Sequence, residues 1–297
     1  MHRMVARRRI RNTLVGIGFI SPWILGFLAF LVYPIAYSFY LSFTRYTGFG
    51  APQWIGLGNY RQLLHDQLFW TSLYNTLYYT ALAVPLGTIV ALVMALAMNQ
   101  RLREVLLYRT ALYLPSILPA FAVSFIFLVL MDPQNGVLNY LLYLLGLPQV
   151  NWLGDPRVAK LSIVLMSQLG AGNAALIFLA GLKAIPRTLY EAAELDGAGQ
   201  WGKFVHITLP MLTPVLLYNL VIGIIGGLQV FTQSYILTGG GPANSTLFYV
   251  YYLYNNAFAY SRLGYAAALS WILFVVSAVL SLLVFRSAAR WVHYEIY

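Results

Sequence analysis

Three of the chain's eight acidic side chains, Glu191, Glu194 and Asp196, fall within six residues of one another. Close behind stand Trp201, Phe204 and Ile207 at three-residue spacing, which gathers them on one side of a helix. Acids beside an apolar stripe could serve acid–base chemistry or recognition, and the first use lacks its partners. The four histidines (His2, His65, His206, His293) are scattered, and no pair has the helical spacing of metal ligands. Cysteine is absent, which removes disulfides and thiolate sites. There is no HExxH-type motif and no GxxxxGK phosphate loop. No catalytic residue and no metal site is expected, and any ATP chemistry must belong to another chain. Recognition remains, with the apolar side chains as anchors in a partner's groove.

A second set of polar residues lies inside apolar stretches. Asn219, Gly223, Gly226 and Gln233 recur at i, i+4, i+7 and i+14, with Gln229 adjacent, while Ser167, Gln168 and Asn173 interrupt a glycine-rich run. Tyr113 and Tyr218 add aromatic surface. Such groups hydrogen-bond and stack without charge. They either line a path or hold helices together, since amides and small residues also serve as glue between membrane helices. For Asn219 and Gln233 both readings stay open; for Tyr113, and for the Gly223–Gly227 spacing, packing is favoured.

The elements that carry these residues follow from composition. Of 297 residues 60% are hydrophobic and 9% charged, with mean hydropathy +0.72, against roughly 25% charged in soluble domains. A soluble surface could not be covered from this supply, so much of the surface must face lipid. About 20 apolar residues span the hydrocarbon as a helix. Six stretches qualify, at 13–43, 72–98, 108–131, 160–182, 212–237 and 265–285. None carries a charge once its ends are trimmed. Pro22, Pro34, Pro85, Pro115 and Pro119 are expected to kink helices without breaking them. The basic cluster Arg3, Arg7, Arg8, Arg9 and Arg11 precedes a run too long for a signal peptide and without a cleavage site, so a retained first helix is favoured.

With the N-terminus cytoplasmic, thirteen of the eighteen Lys and Arg fall in inside segments. They are that cluster, Arg101, Arg103, Arg109, Lys183, Arg187, Lys203, Arg286 and Arg290. Only Arg45, Arg61, Arg157, Lys160 and Arg262 fall outside. Both termini are therefore placed inside. The net charge of +10 reads as topology, with anionic lipid as its partner rather than nucleic acid.

Three outside loops are expected, at 44–71, 132–157 and roughly 238–264. The second contains a short helical stretch, 137–145, ended by Gly146 and Pro148, and the third opens on the turn signal Gly239-Gly240-Gly241-Pro242. Inside, 184–210 is the longest polar segment and reads as two short helices. The first starts after Pro186, Gly197 and Gly199 break it, and the second stops before Pro210. No separate soluble domain is visible, so residues 1–297 are read as one transmembrane domain.

That inside loop carries a resemblance. Glu191-Ala192-Ala193-x-x-Asp196-Gly197-Ala198, then Phe204, Ile207, Leu209-Pro210 and Pro214, resembles the EAA loop of binding-protein-dependent ABC importer permeases. Ala180-Gly181-Leu182 and Ile185-Pro186 fit the same pattern. The likeness extends over nearly the whole chain and narrows to MalF-like sugar permeases. It includes Gly56-Leu57-Gly58-Asn59-Tyr60, Phe69 and Asn75-Thr76, then Arg109, Leu114-Pro115 and Pro119. It continues with Gly136, Asn139, Trp152 and Asp155-Pro156, with the run from Leu237 to Pro242 and Thr246, and with Phe258 and Gly264 to Ala268. Two departures bear on substrate: the first outside loop is short, and Phe127 and Gln168 stand where relatives often carry tryptophan.

The resemblance implies an all-α integral membrane protein of ABC importer permease type, six transmembrane helices with both termini cytoplasmic, in a prokaryotic cytoplasmic membrane. It also implies partners: a second, related permease subunit, an ATP-binding cassette ATPase dimer that binds the ATP and magnesium, and an extracytoplasmic sugar-binding protein. Glu191, Ala192, Ala193, Asp196, Gly197, Ala198, Trp201 and Phe204 would then couple the permease to the ATPase. Tyr113, Gln168, Asn173, Tyr218, Asn219, Gln229 and Gln233 are the candidates for the substrate path. Neutral amides with aromatics suit an uncharged di- or oligosaccharide. The rivals are a permease for a polyol or glycerol phosphate, and a secondary transporter. The last is disfavoured because no acid lies within the spans.

Overall fold

A computed structural model describes residues 2–100 and 105–293, with backbone alone for 2–14 and 105. Arg101 and Arg103, and the side chains of the N-terminal arginines, lie outside the described residues. The described chain is mostly helical. In order, α1 is His2–Phe27, α2 Tyr33–Ser42, β1 Thr44–Arg45, β2 Gln53–Trp54 and α3 Gly58–Leu64. Then come α4 Gln67–Met98, α5 Val105–Ile117, α6 Ala120–Leu130, α7 Val137–Leu144, α8 Ala159–Ser167 and α9 Gly172–Ala184. The remainder is α10 Arg187–Leu195, α11 Gln200–Lys203, α12 Leu209–Met211, α13 Thr213–Leu228, α14 Tyr249–Tyr254 and α15 Leu263–Ala288.

Four helical runs are long and apolar enough to cross a membrane: Val15–Ser42, Gln67–Met98, Ala159–Ala184 and Leu263–Ala288. Two bent pairs, Leu106–Ile117 with Ala120–Leu130 and Gln200–Met211 with Thr213–Leu228, raise the number to six if each pair is one span. The first pair corrects the expectation of a merely kinked helix over 108–131, because its halves meet at 95°. Pro119 supplies the reason. It has φ −59° and ψ 142°, it has no N–H to donate, and it disfavours helical geometry at Leu118 before it.

The chain forms two compact units. One comprises the residues up to His65 together with Asn256–Ile272, which includes the start of α15. Its N-terminal helix passes through a π-helical turn, Leu28–Val32, just ahead of Pro34. The wider turn relieves the clash of the proline ring with the carbonyl four residues back. Along the Val15–Ser42 run only Ser42, at its end, is buried within the fold. Beyond Ser42, β1 and β2 pair antiparallel, and buried Asn59 donates to the carbonyls of Ser42 (2.8 Å) and Thr44 (2.9 Å). Gly264 N–H donates to Tyr46 O at 3.1 Å. The Gly56–Tyr60 signature is thus a local fastening.

The other unit, Asp66–Asn255 with the chain from Leu273 onward, is built around α4. That helix starts five residues earlier than hydropathy suggested, because Asp66 caps it, accepting from Leu68 N at 2.9 Å and Phe69 N at 3.3 Å. It packs against α8, α9, α13 and α14. Small residues make the seam: Ala91, Ala95, Ala171 and Ala175 lie in one buried cluster with Met98, Phe178 and Leu212. Small side chains let helix backbones approach where lipid offers no hydrophobic contrast. Hydroxyls on α4 are satisfied within the helix, with Ser72, Thr76, Thr80 and Thr88 each donating to a carbonyl three or four residues back.

Candidate functional site

Two regions of the second unit hold most of the residues singled out from sequence, the 184–211 loop and an open cavity.

In the loop, α10 begins directly after Pro186, whose fixed φ suits a helix entrance. It ends at Gly197, which sits at φ +79°, a left-handed conformation cheap only for glycine. Ala198 N–H donates to Ala193 O at 2.8 Å and Gly197 N–H to Glu194 O at 3.0 Å. This pair of bonds closes a Schellman turn and uses carbonyls that the helix end would leave orphaned. Two side-chain contacts then fasten α10 to the returning arm. Lys203 Nζ donates to Glu194 Oε1 at 2.7 Å, and the hydroxyls of Tyr190 and Thr208 are hydrogen-bonded at 2.9 Å. Lys203 is buried, and its ammonium holds the Glu194 carboxyl below the usual carboxylate range through that hydrogen bond and its charge.

The returning arm does not stop before Pro210. It runs helically through 200–211, with a π-helical stretch at Phe204–Thr208 and Pro210 within the first turn of α12, and meets α13 at 60°. The π-helical stretch just before Pro210 widens the turn and relieves the clash of the proline ring with the carbonyls behind it, as at Pro34. The loop's second arm is therefore also the approach to the next membrane helix.

Of the loop residues singled out from sequence, Glu191, Ala192, Asp196 and Gly197 are exposed, while Ala193, Ala198 and Phe204 are half-buried. Trp201 is 76% exposed and stacks on Phe204, with ring centroids 5.5 Å apart. Ile207 instead packs against the α4–α9 core. Sequence reasoning missed Leu195, which is 91% exposed although large and apolar. It also missed the internal pairing of Glu194, whose partner Lys203 lies nine residues away across the turn. The signal was present: an acid and a base flanking a glycine break are placed to meet once the arms fold back.

The cavity, of about 370 Å³, lies between α4, the α8–α9 junction and α13 with its following turn. Gln168, Asn219, Gln229 and Gln233 all line it, together with Tyr79 and Thr88. Its lining carries no charged side chain. Two buried polar atoms in its wall have no hydrogen-bond partner, the acceptor Gln168 Oε1 and the donor Asn219 Nδ2. The amide nitrogen of Gln168 is occupied, donating to Val164 O at 2.6 Å, and its oxygen lies beside Gly87 of α4. Gly223 and Gly227 seat α13 on α4. A Cβ on either would come within 3.0 Å of Val84 or Thr80, so close packing explains this spacing.

The other path candidates lie elsewhere. Asn173 and Tyr218 are exposed, and half-buried Tyr113 packs against the α4–α9 core. Phe127 packs beside Tyr79 and Phe248 in a second core cluster and is absent from the cavity lining. Tyr79 and Thr88 were not singled out from sequence, since nothing in their spacing separates them from the other hydroxyls of α4.

A third polar network latches the 239–249 loop onto α4. Asn75 Nδ2 donates to Asn244 O (2.8 Å) and Leu247 O (3.2 Å), and its Oδ1 accepts from Lys160 Nζ at 3.1 Å. Thr76 Oγ1 accepts from Tyr249 N–H at 2.8 Å. Thr246 binds Thr238 and Gly241 O, both at 2.6 Å. Asn139 is likewise saturated, accepting from Val150 N–H and Trp152 Nε1 while donating to Pro133 O and Val150 O. The sequence signatures around Asn75, Asn139 and Thr246 therefore hold loops in place.

Comparison with known proteins supplies the context for this geometry. Residues 83–293 match a family described as binding-protein-dependent transport system inner membrane component. The chain is 41% identical to Probable ABC transporter permease protein YesP of Bacillus subtilis (strain 168), over 98% of its own length and 96% of the relative's. It is 38% identical to Arabinooligosaccharides transport system permease protein AraP of the same organism, over 89% of this chain and 85% of that one. The fold superposes with TM-score 0.83 and 26% identity on the crystal structure of a bacterial ABC transporter involved in the import of the acidic polysaccharide alginate, covering 96% of this chain and 98% of that one.

Proposed function

We propose, from the premise that this chain belongs to the family of binding-protein-dependent transport system inner membrane components, that it forms half of the translocation path of an ATP-driven importer of neutral di- or oligosaccharides. It crosses a prokaryotic cytoplasmic membrane six times with both termini inside, each bent pair making one crossing. It is a transport component and not an enzyme. ATP and magnesium bind to a separate ATPase dimer, a second permease subunit completes the path, and an extracytoplasmic binding protein delivers the sugar.

The observation that carries this reading is the self-fastened 184–211 loop. Fastened by the Gly197 turn, Glu194–Lys203 and Tyr190–Thr208, it presents the largely exposed side chains of Leu195 and Trp201. A rigid knob with bare apolar anchors suits docking into a groove of a partner protein. Because its second arm runs into the bent helix pair ending in α13, a push on the knob reaches Asn219 and the cavity wall. The neutral lining, with one unmet acceptor and one unmet donor, favours a solute rich in hydroxyls over the phosphate ester or the proton-coupled substrates of the rival readings.

The test is purification from native membranes with identification of what travels with the chain. A soluble ATPase and a second permease, with ATP hydrolysis stimulated by sugar-loaded binding protein, support the proposal. A chain that purifies alone and accumulates sugar without ATP refutes it.

A further inference from the structure

Outside the regions described so far, the unit built on the N-terminal residues holds a polar groove of about 520 Å³. Arg45, Tyr46, Thr47, Gln62, Ser261 and Arg262 are among its lining side chains. The two arginines come from opposite ends of the sequence and share one open depression, both exposed. Their charge is uncompensated within this unit, because neither the residues up to His65 nor Asn256–Ile272 include an Asp or Glu. Asn59, which also borders the groove, spends its amide on Ser42 and Thr44. Thr47, Gln62 and Ser261 remain at the rim as neutral polar groups.

Depth along the membrane normal decides what such a groove meets. One apolar run ends at Ser42, three residues before Arg45, and another begins at Leu263, directly after Arg262. Each headgroup layer is about 5–7 Å thick, and an extended residue advances about 3.3 Å. The guanidinium groups therefore sit at or just beyond the headgroup level. Beside them Tyr260 (58% exposed) lines the groove and Trp54 (64% exposed) follows Gln53, the β2 partner of Arg45, aromatic surface of the kind that marks a membrane interface. Arg45 and Arg262 are also two of only five cations on the side that orientation keeps poor in positive charge.

We infer that this groove seats the phosphodiester headgroup of an anionic phospholipid, gripped by Arg45 and Arg262. Arginine suits this role because its planar fork matches two phosphate oxygens at once. The aromatic rim lies along the glycerol and upper acyl chain. The site would tie the first and last membrane helices to a shared lipid. It rests on the reading of these helices as membrane spans and is independent of which solute is carried.

The experiment uses the full complex purified in mild detergent, with bound lipid quantified by mass spectrometry. Wild type is expected to retain phosphatidylglycerol, and the double variant R45Q/R262Q to retain at least tenfold less, while R157Q, outside the groove, matches wild type. Adding phosphatidylglycerol to delipidated wild type should raise its thermal midpoint, and phosphatidylcholine or inorganic phosphate should not. This arm serves even if the double variant expresses poorly. Equal retention by R45Q/R262Q, equal stabilisation by phosphatidylcholine, or full stabilisation by free phosphate overturns the proposal. So does a double variant that keeps its lipid and loses only its affinity for a binding protein, since the arginines would then face a protein carboxylate. None of these outcomes touches sugar transport, so failure here leaves the transport function standing.

Discussion

Two glycines two residues apart in the 184–211 loop make opposite predictions, and their comparison tests whether the shape of that loop matters to coupling. Gly197 has φ +79°, whereas Gly199 has φ −70° and ψ 171°, a conformation open to any residue. Neither has another atom within 4 Å of where a Cβ would sit. Alanine at either position therefore meets no clash, and any difference is purely conformational. Placing alanine in the left-handed region costs roughly 1–2 kcal/mol, which reduces the population of the folded turn about 5- to 30-fold relative to its alternatives. Alanine at Gly199 incurs no such penalty and lowers the entropy of the open loop, a gain of about 0.4–1 kcal/mol. The assay titrates the ATPase onto reconstituted permease variants and follows ATP-dependent uptake. Gly197→Ala should weaken ATPase binding 5- to 30-fold with the permease still inserted and thermally intact, and Gly199→Ala should bind at least as well as wild type. Equal loss in both variants, or no loss in Gly197→Ala, would refute the claim that the preformed turn presents Leu195 and Trp201.

Replacing Asn219 by Leu removes a buried amide nitrogen that has no internal partner. Thermal stability should be unchanged or higher, while the sugar KM rises about 2- to 10-fold from one lost hydrogen bond; a stability loss without a KM change would assign Asn219 to helix packing. Asn75→Leu should lower unfolding stability by about 2–4 kcal/mol, because two loop carbonyls and Lys160 lose their partner; differential scanning fluorimetry of the purified protein reads this. Since Lys203 holds Glu194 below the usual carboxylate range, the loop's stabilisation is fully present above the unfolded glutamate value of about 4.3. It is lost as pH falls through the lower folded value. Retention of the ATPase by the assembled complex should thus be flat from pH 8 to 5 and decline below about 4, and Glu194→Gln should remove that dependence.

Much of this architecture was legible in the sequence because lipid makes hydropathy decisive. The apolar runs fall where α1–α2, α4, α8–α9 and α15 stand, and Pro186 and Gly197 mark the bounds of α10 as their backbone preferences require. What could not be read was rotation. Asn173 and Asn219 are the same residue type in similar apolar helices, yet one is exposed and the other lines the cavity. Only the packing of α9 and α13 against α4 distinguishes them. The 95° break at Pro119 was underestimated because prolines such as Pro22 and Pro85 are absorbed within helices. Pro119 differs in standing at the N-cap of α6, where no preceding helical turn spans it. Leu195 escaped notice because one exposed leucine is ordinary by composition, and its position beside the turn gives it meaning.

The latch between α4 and the 239–249 loop also sets a timetable for synthesis. Asn75 waits 85 residues for Lys160 and about 170 for Asn244 and Leu247. At roughly 5–20 residues per second, the last of these partners leaves the ribosome about 10–30 seconds after Asn75 does. Throughout that interval α4 carries a side chain whose final partners do not yet exist, while its hydroxyls are already satisfied within the helix. The nascent chain therefore depends on insertion machinery, or on transient water, to shelter one amide until the fifth apolar segment has been made. Quality control that surveys unpaired polar groups in the membrane would find this chain most vulnerable in those seconds.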